Sequence, residues 1–218
     1  MKFPGPVFLG LVLGHAFTGS AFGLDWKATT LTATTAPFQS ELDVEFEFAN
    51  RGTKPVAVRE LETSCSCLLA NSDRKIYPPG ATGKIAARFT VGDRGGIYER
   101  TITVLTDEAD SPVKLVLTVE VPDVASVTPR SVAWRLNEEP LEKKVELTAA
   151  AGLEIIFSGA QPTSDDYTAR LEVIEPGRHY RLFIKPNLTS RPASVAVRFV
   201  GREKSGHAVI VSAYASVQ

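Results

Sequence analysis

The chain has 218 residues, 44% of them hydrophobic and 22% charged, with a formal net charge of -1. That composition can bury a sizeable core in one large domain or two small ones. Near-neutrality offers no basic face to nucleic acid or anionic lipid, so neither partner is expected.

The N-terminus reads as a targeting segment. Met1-Lys2 supplies a positive end, Val7–Phe17 (VFLGLVLGHAF) is a short apolar core, and small residues follow at Gly19, Ser20, Ala21 and Gly23. This is the layout of a secretory signal peptide, expected over residues 1–23, with cleavage between Ala21 and Leu24. The apolar run is too short to span a bilayer. No cysteine stands at the cleavage point to carry a lipid, and no later stretch is apolar enough for a transmembrane helix. The expectation is a periplasmic or secreted protein, in a compartment where thiols oxidise. The mature chain would keep His179 and His207 as its histidines, a thin stock of soft metal ligands and general bases.

Strand signals follow in order. In Glu41–Phe48, Leu42, Val44, Phe46 and Phe48 alternate with acids, which puts the two sets on opposite faces of a strand. Asn50-Arg51-Gly52 reads as a turn. Val56–Leu61 comes next, and then Ser64-Cys65-Ser66-Cys67-Leu68, which holds both cysteines of the chain. Pro78-Pro79-Gly80 marks another turn. Lys84–Thr90, the turn at Asp93-Arg94-Gly95-Gly96, Thr101–Leu105 and Lys114–Val121 complete the series. Several short strands punctuated by turns predict a β-sandwich.

Val121-Pro122-Asp123-Val124-Ala125 breaks the pattern and a second series begins. Val132, Trp134 and Leu136 alternate. Val145–Leu147, Leu153–Phe157, Tyr167–Val173, Tyr180–Ile184, Val195–Val200 and His207–Val211 look like further strands. The prediction is all-β, with one sandwich over residues 24–122 and a second over 123–218. For Trp26 and Trp134, packing at sandwich edges is the expectation, with sugar-stacking platforms as the alternative.

The order of signals in the first half resembles a known family. Glu45-Phe46-Glu47-Phe48-Ala49-Asn50-Arg51-Gly52 and Lys54-Pro55-Val56 precede Ser64-Cys65-Ser66-Cys67. After these come Ile76-Tyr77-Pro78-Pro79-Gly80, Ile85–Phe89, Arg94-Gly95 and Ile102–Asp107. This resembles the bacterial domain of unknown function 1573 family, over roughly Asp25 to Val121. Its members carry a serine-cysteine-glycine-cysteine motif and are mostly exported. The resemblance implies an immunoglobulin-like sandwich related to PapD and major sperm protein, hence tandem immunoglobulin-like β-sandwiches. Ser66 replaces the family's usual glycine and Leu68 its frequent threonine, so the local turn is expected to differ, since serine resists angles that glycine permits. The family implies no activity.

Three readings of Cys65 and Cys67 compete, beside a fourth in which both are buried free thiols. A local disulfide requires the chain to bend at Ser66, because extended backbone separates the Cα atoms by roughly 6.6 Å, at the far edge of the bridging window. A redox pair lacks the Cys-x-x-Cys spacing and βαβ context of thioredoxin-like proteins. The nearest charges in sequence, Glu60 and Glu62, would disfavour a thiolate. A soft metal such as copper(I) needs few ligands, but tetrahedral zinc needs two more. His179, in a turn, and His207, opening the last strand, lie in the other half. No nucleophile–base pair, metalloprotease motif or phosphate loop is present in the sequence. No enzyme, cofactor or metal is therefore expected. The predicted role is an exported binding or scaffolding protein with a protein partner, contacted at a sheet edge as in PapD-like relatives. Thiol redox or copper(I) handling through Cys65 and Cys67 is the alternative.

Overall fold

The computed structural model describes residues 23–218, so the expected leader, apart from Gly23, lies outside the described residues. Among the described residues the regular structure is all strand. The first half contains β1 (Leu24–Trp26), β2 (Thr30–Thr34), β3 (Glu41–Asn50), β4 (Val56–Thr63), β5 (Leu68–Ser72), β6 (Ile76–Tyr77), β7 (Thr82–Thr90), β8 (Gly96–Thr106) and β9 (Val113–Val121). They form two sheets, ordered β1-β3-β7-β5 and β2-β9-β8-β4-β6. Phe46 and Phe48 of β3, Ile85, Ala87 and Phe89 of β7, Ile102 and Val104 of β8, and Leu115, Leu117 and Val119 of β9 are buried between them. The acids of β3 face outward and pair across the sheet. Glu47 meets Lys27, Glu45 meets Lys84, and Asp43 takes a two-pronged contact from Arg88.

The second half contains β10 (Ala125–Thr128), β11 (Ser131–Trp134), β12 (Lys143–Ala149), β13 (Ile155–Pro162), β14 (Tyr167–Glu175), β15 (His179–Pro186), β16 (Ala193–Glu203) and β17 (Ala208–Val217). Its sheets are β10-β12-β15-β14 and β11-β17-β16-β13, over a separate core that includes Val145, Leu147, Leu182, Ile184, Val197 and Phe199.

The two halves share one wiring. In each, a short first strand runs antiparallel to the third (β1 on β3, β10 on β12), and a short second strand runs parallel to the last (β2 on β9, β11 on β17). The first segment thus divides itself between the two sheets. With the short second strand of each half set aside, the sheets follow the four-plus-three order of constant-type immunoglobulin sandwiches, and the first half adds β6 at the edge beside β4. The fold is a tandem of immunoglobulin-like β-sandwiches.

Several local expectations change. The Val132–Trp134–Leu136 alternation stops at Trp134, and Leu136 is 45% exposed beyond the strand end. Trp134 ends β11, an edge strand of its sheet, and is 1% exposed there, its ring in the second core and its indole N–H donated to the Leu141 carbonyl. The last strand runs to Val217, because Ala213 and Ala215 are small enough to pack inward where no bulky residue signals a strand. His179 opens β15 instead of preceding it, half-buried with Nε2 2.9 Å from Glu146. His207 lies before β17, stacked on Phe38 at 4.7 Å and 9° between ring planes.

Candidate functional site

Cys65 and Cys67 occupy the turn between β4 and β5, where the chain crosses from one sheet to the other. The Leu68 amide donates to the Cys65 carbonyl at 3.3 Å, closing a four-residue turn, and the Cα atoms of the two cysteines stand 5.2 Å apart. That bend at Ser66 brings the Sγ atoms to 2.04 Å, disulfide distance. Ser66 bends without entering the left-handed backbone region that favours glycine.

The turn is held on both sides. The Thr90 amide donates to the Cys67 carbonyl at 2.8 Å, and the Ser64 amide to the Thr101 carbonyl at 3.0 Å. The Ser64 hydroxyl accepts from the Thr101 amide, and the Thr63 hydroxyl donates to the Cys65 carbonyl. Both cysteines are half-buried and pack against the rim of the first core, while Ser66 is exposed.

The charge that matters here is Arg100. Its Nε donates to Cys67 Sγ at 3.2 Å. The guanidinium lies 5.3 Å from the Tyr98 ring centre and 5.8 Å from that of Phe89, and one further nitrogen donates to the Glu99 carbonyl. Among the described residues no carboxylate forms an ion pair with it. Glu60 and Glu62, the neighbours in sequence, are exposed residues of β4, and Arg100 is the charged group that contacts a sulfur. The signal for Arg100 was present: Tyr98, Arg100, Ile102 and Val104 share one strand parity, and Ile102 and Val104 are in the core. Arg100 therefore faces inward where the sandwich ends.

Residues 24–121 match the model of a family described as "Protein of unknown function (DUF1573)". Over this segment the chain is similar to that family. None of the curated proteins matches the chain. Among solved structures, the chain is similar to a protein of unknown function from Porphyromonas gingivalis W83, at 12% identity and TM-score 0.33, over 89% of this chain and 99% of that one. It is also similar to the CupB2 chaperone of Pseudomonas aeruginosa, at 8% identity and TM-score 0.34, over 87% and 99%. The E. coli chaperone DraB matches at 14% identity and TM-score 0.35, over 88% and 96%.

Neither histidine lies with the cysteines of the first half. His179 pairs with Glu146, and His207 contacts Ser205, both in the second half. Among the described residues no group of three or more His, Cys, Asp or Glu side chains is arranged to hold a metal ion. No helix among them is long and apolar enough to cross a membrane.

A second surface lies in the other half of the chain. The outer face of β11-β17-β16-β13 sets Val200 opposite Ile210, Ala196 opposite Tyr214, Arg198 opposite Ser212 and Arg202 opposite Ala208. Ile210 is 62% exposed, Tyr214 44%, and Ile156 on β13 56%. Ser131, Ala133, Ser194, Ser216, Gly159 and Gln161 fill the remaining outward positions, so the face carries two arginines and no acid. Neither Arg198 nor Arg202 forms an ion pair among the described residues. The opposite sheet of the same half is closed by charge pairs: Glu146 with Arg181 and His179, and Glu142 with Arg170, which lies over Phe183.

Proposed function

We propose that this is an exported protein of the bacterial envelope that works by contact, binding an acidic polypeptide segment on the outer face of β11-β17-β16-β13. The observation that carries the reading is the composition of that face: exposed Ile210, Tyr214 and Ile156 surround two unpaired arginines with no carboxylate among them. Exposed apolar side chains beside unneutralised cations suit a partner that brings both apolar contacts and negative charge. Export is supported by the leader layout of the sequence.

The test is retention of envelope proteins on the immobilised mature chain. Wild type and a Thr168→Lys control on β14 should retain the same acidic partner, released by raising salt. Ile210→Lys combined with Arg198→Glu should not retain it. Equal retention by all three, or no retained partner at any salt concentration, rejects the proposal. Export is checked separately: the chain isolated from its host should begin between residues 22 and 24 and be recovered from periplasm or medium. A cytoplasmic chain of full length rejects that part.

A further inference from the structure

We infer that Cys65 and Cys67 form a thiol–disulfide exchange site that accepts two electrons from a dithiol, with Arg100 as the group that stabilises the reduced form. The inference is independent of the binding face, which lies in the other half of the chain.

A disulfide is neutral and has no need of a cation; a thiolate does. Arg100 is nonetheless turned toward the core side of β8 with Nε 3.2 Å from Cys67 Sγ, although no carboxylate among the described residues balances its charge. Two aromatic rings, Tyr98 and Phe89, lie within cation–π range and hold the guanidinium in place. The contact is selective, because it goes to Cys67 and not to Cys65. A cation fixed against one sulfur favours negative charge there and makes it the better leaving group. Both cysteines are partly exposed at the rim of the core, where an incoming thiolate can approach from solvent.

The geometry orders the steps. A thiolate of the incoming dithiol attacks Cys65 Sγ, the Cys65–Cys67 bond breaks, and its electron pair stays on Cys67 Sγ against Arg100. The second thiolate of the dithiol then attacks the incoming sulfur of the mixed disulfide. Cys65 leaves as a thiolate and takes a proton from water. The dithiol departs as a disulfide, oxidised by two electrons, and the cysteine pair is reduced by the same two. Because the reduced form is the one Arg100 stabilises, the pair acts as an oxidant. Arg100 is a positioning residue for this exchange.

The probe is dithiothreitol. Titrating the wild-type protein with mixtures of reduced and oxidised dithiothreitol, and counting alkylated thiols by intact mass, gives the exchange equilibrium. If Arg100 favours ionisation of Cys67 by one pH unit, then in titrations run above the ionisation range of both thiols, where that whole difference is expressed, Arg100→Gln should need about tenfold more reducing mixtures to open the bridge. In single-cysteine proteins, the thiol of Cys65→Ser should react with iodoacetamide at pH 7 about threefold faster than that of Cys67→Ser. A tenfold gain in thiolate is partly offset by lower nucleophilicity. Adding Arg100→Gln should remove the difference. The midpoint of the pH–rate profile should also be lower for Cys67 than for Cys65, a comparison that does not depend on the Arg100 variant folding. Equal midpoints or an unshifted equilibrium overturn the inference. So does loss of the folded circular-dichroism spectrum when the wild type is reduced, which would make the pair a structural clip.

Discussion

Glu146 shows how single residues set the chemistry of this molecule. The Arg181 side chain donates to its carboxylate at 2.8 Å, and His179 approaches the other oxygen at 2.9 Å. The Arg181 hydrogen bond chiefly, and then His179, hold the carboxyl below its ordinary 4.5 despite partial desolvation. A carboxylate depressed in the folded state contributes stability above its unfolded value and loses it as pH falls through the folded one. The melting temperature should therefore drop below pH 4.5, and Glu146→Gln should make that drop shallower while costing stability at neutral pH. An identical acid slope in thermal melts of the two proteins would refute the assignment. Tyr77 is the opposite case. Burial, reinforced by its hydrogen bond to Asp73, pushes its phenol up to about 12. It stays a donor at any physiological pH, and Tyr77→Phe leaves Asp73 with the Lys84 amide and without that donor. A loss of about 0.5–1.5 kcal/mol in chemical denaturation is expected.

Among the elements, the β4–β5 crossing and β7 make contrasting predictions. The ring formed by Cys65–Cys67 closes over one intervening residue, where the entropic gain from cross-linking is smallest. Backbone hydrogen bonds from Leu68, Thr90 and Ser64 hold the turn regardless of the sulfurs. Replacing both cysteines by serine should cost less than about 2 kcal/mol in denaturant unfolding; a loss of twice that would show the bridge to be a staple. Gly83 on β7 has no such tolerance. A Cβ there would be driven into the rings of Tyr77 and Phe48, which meet edge to face at 4.7 Å in the core. Gly83→Ala should destabilise the first half by about 1–3 kcal/mol through overpacking. Retention of wild-type stability would mean that the rings can yield.

For the whole molecule, the two cores are built from different stretches of chain, one from Leu24 to Val119 and the other from Ala125 to Val217. Phe38 is an exception: it belongs to the first half but packs against the second core and stacks on His207. Calorimetry should resolve two unfolding transitions. Ile85→Ala should lower one and Ile184→Ala the other, each by about 2–5 kcal/mol. A single transition moved equally by both substitutions would show that the halves unfold as one unit.

Strand alternation was legible in the chain wherever one face is apolar and the other charged, as in Glu41–Phe48 or Lys114–Val121, because a period of two maps directly onto two faces. The same patterning, with its interruption at Pro122, sufficed for an all-β reading, and the motif order around Cys65 and Cys67 pointed to the family whose model residues 24–121 match. Short strands such as β1, β2 and β5 were hidden, since three to five residues carry too little periodicity. Which sheet each joins depends on partners far away in sequence. The surroundings of the cysteines were decided in the same way. Arg100 lies 33 residues from Cys67, and only the pairing of β8 with β4 brings it to the sulfur while turning Glu60 and Glu62 outward. Proximity along a chain falls off within a few residues, whereas an electrostatic contact is set by distance in space, which folding alone supplies.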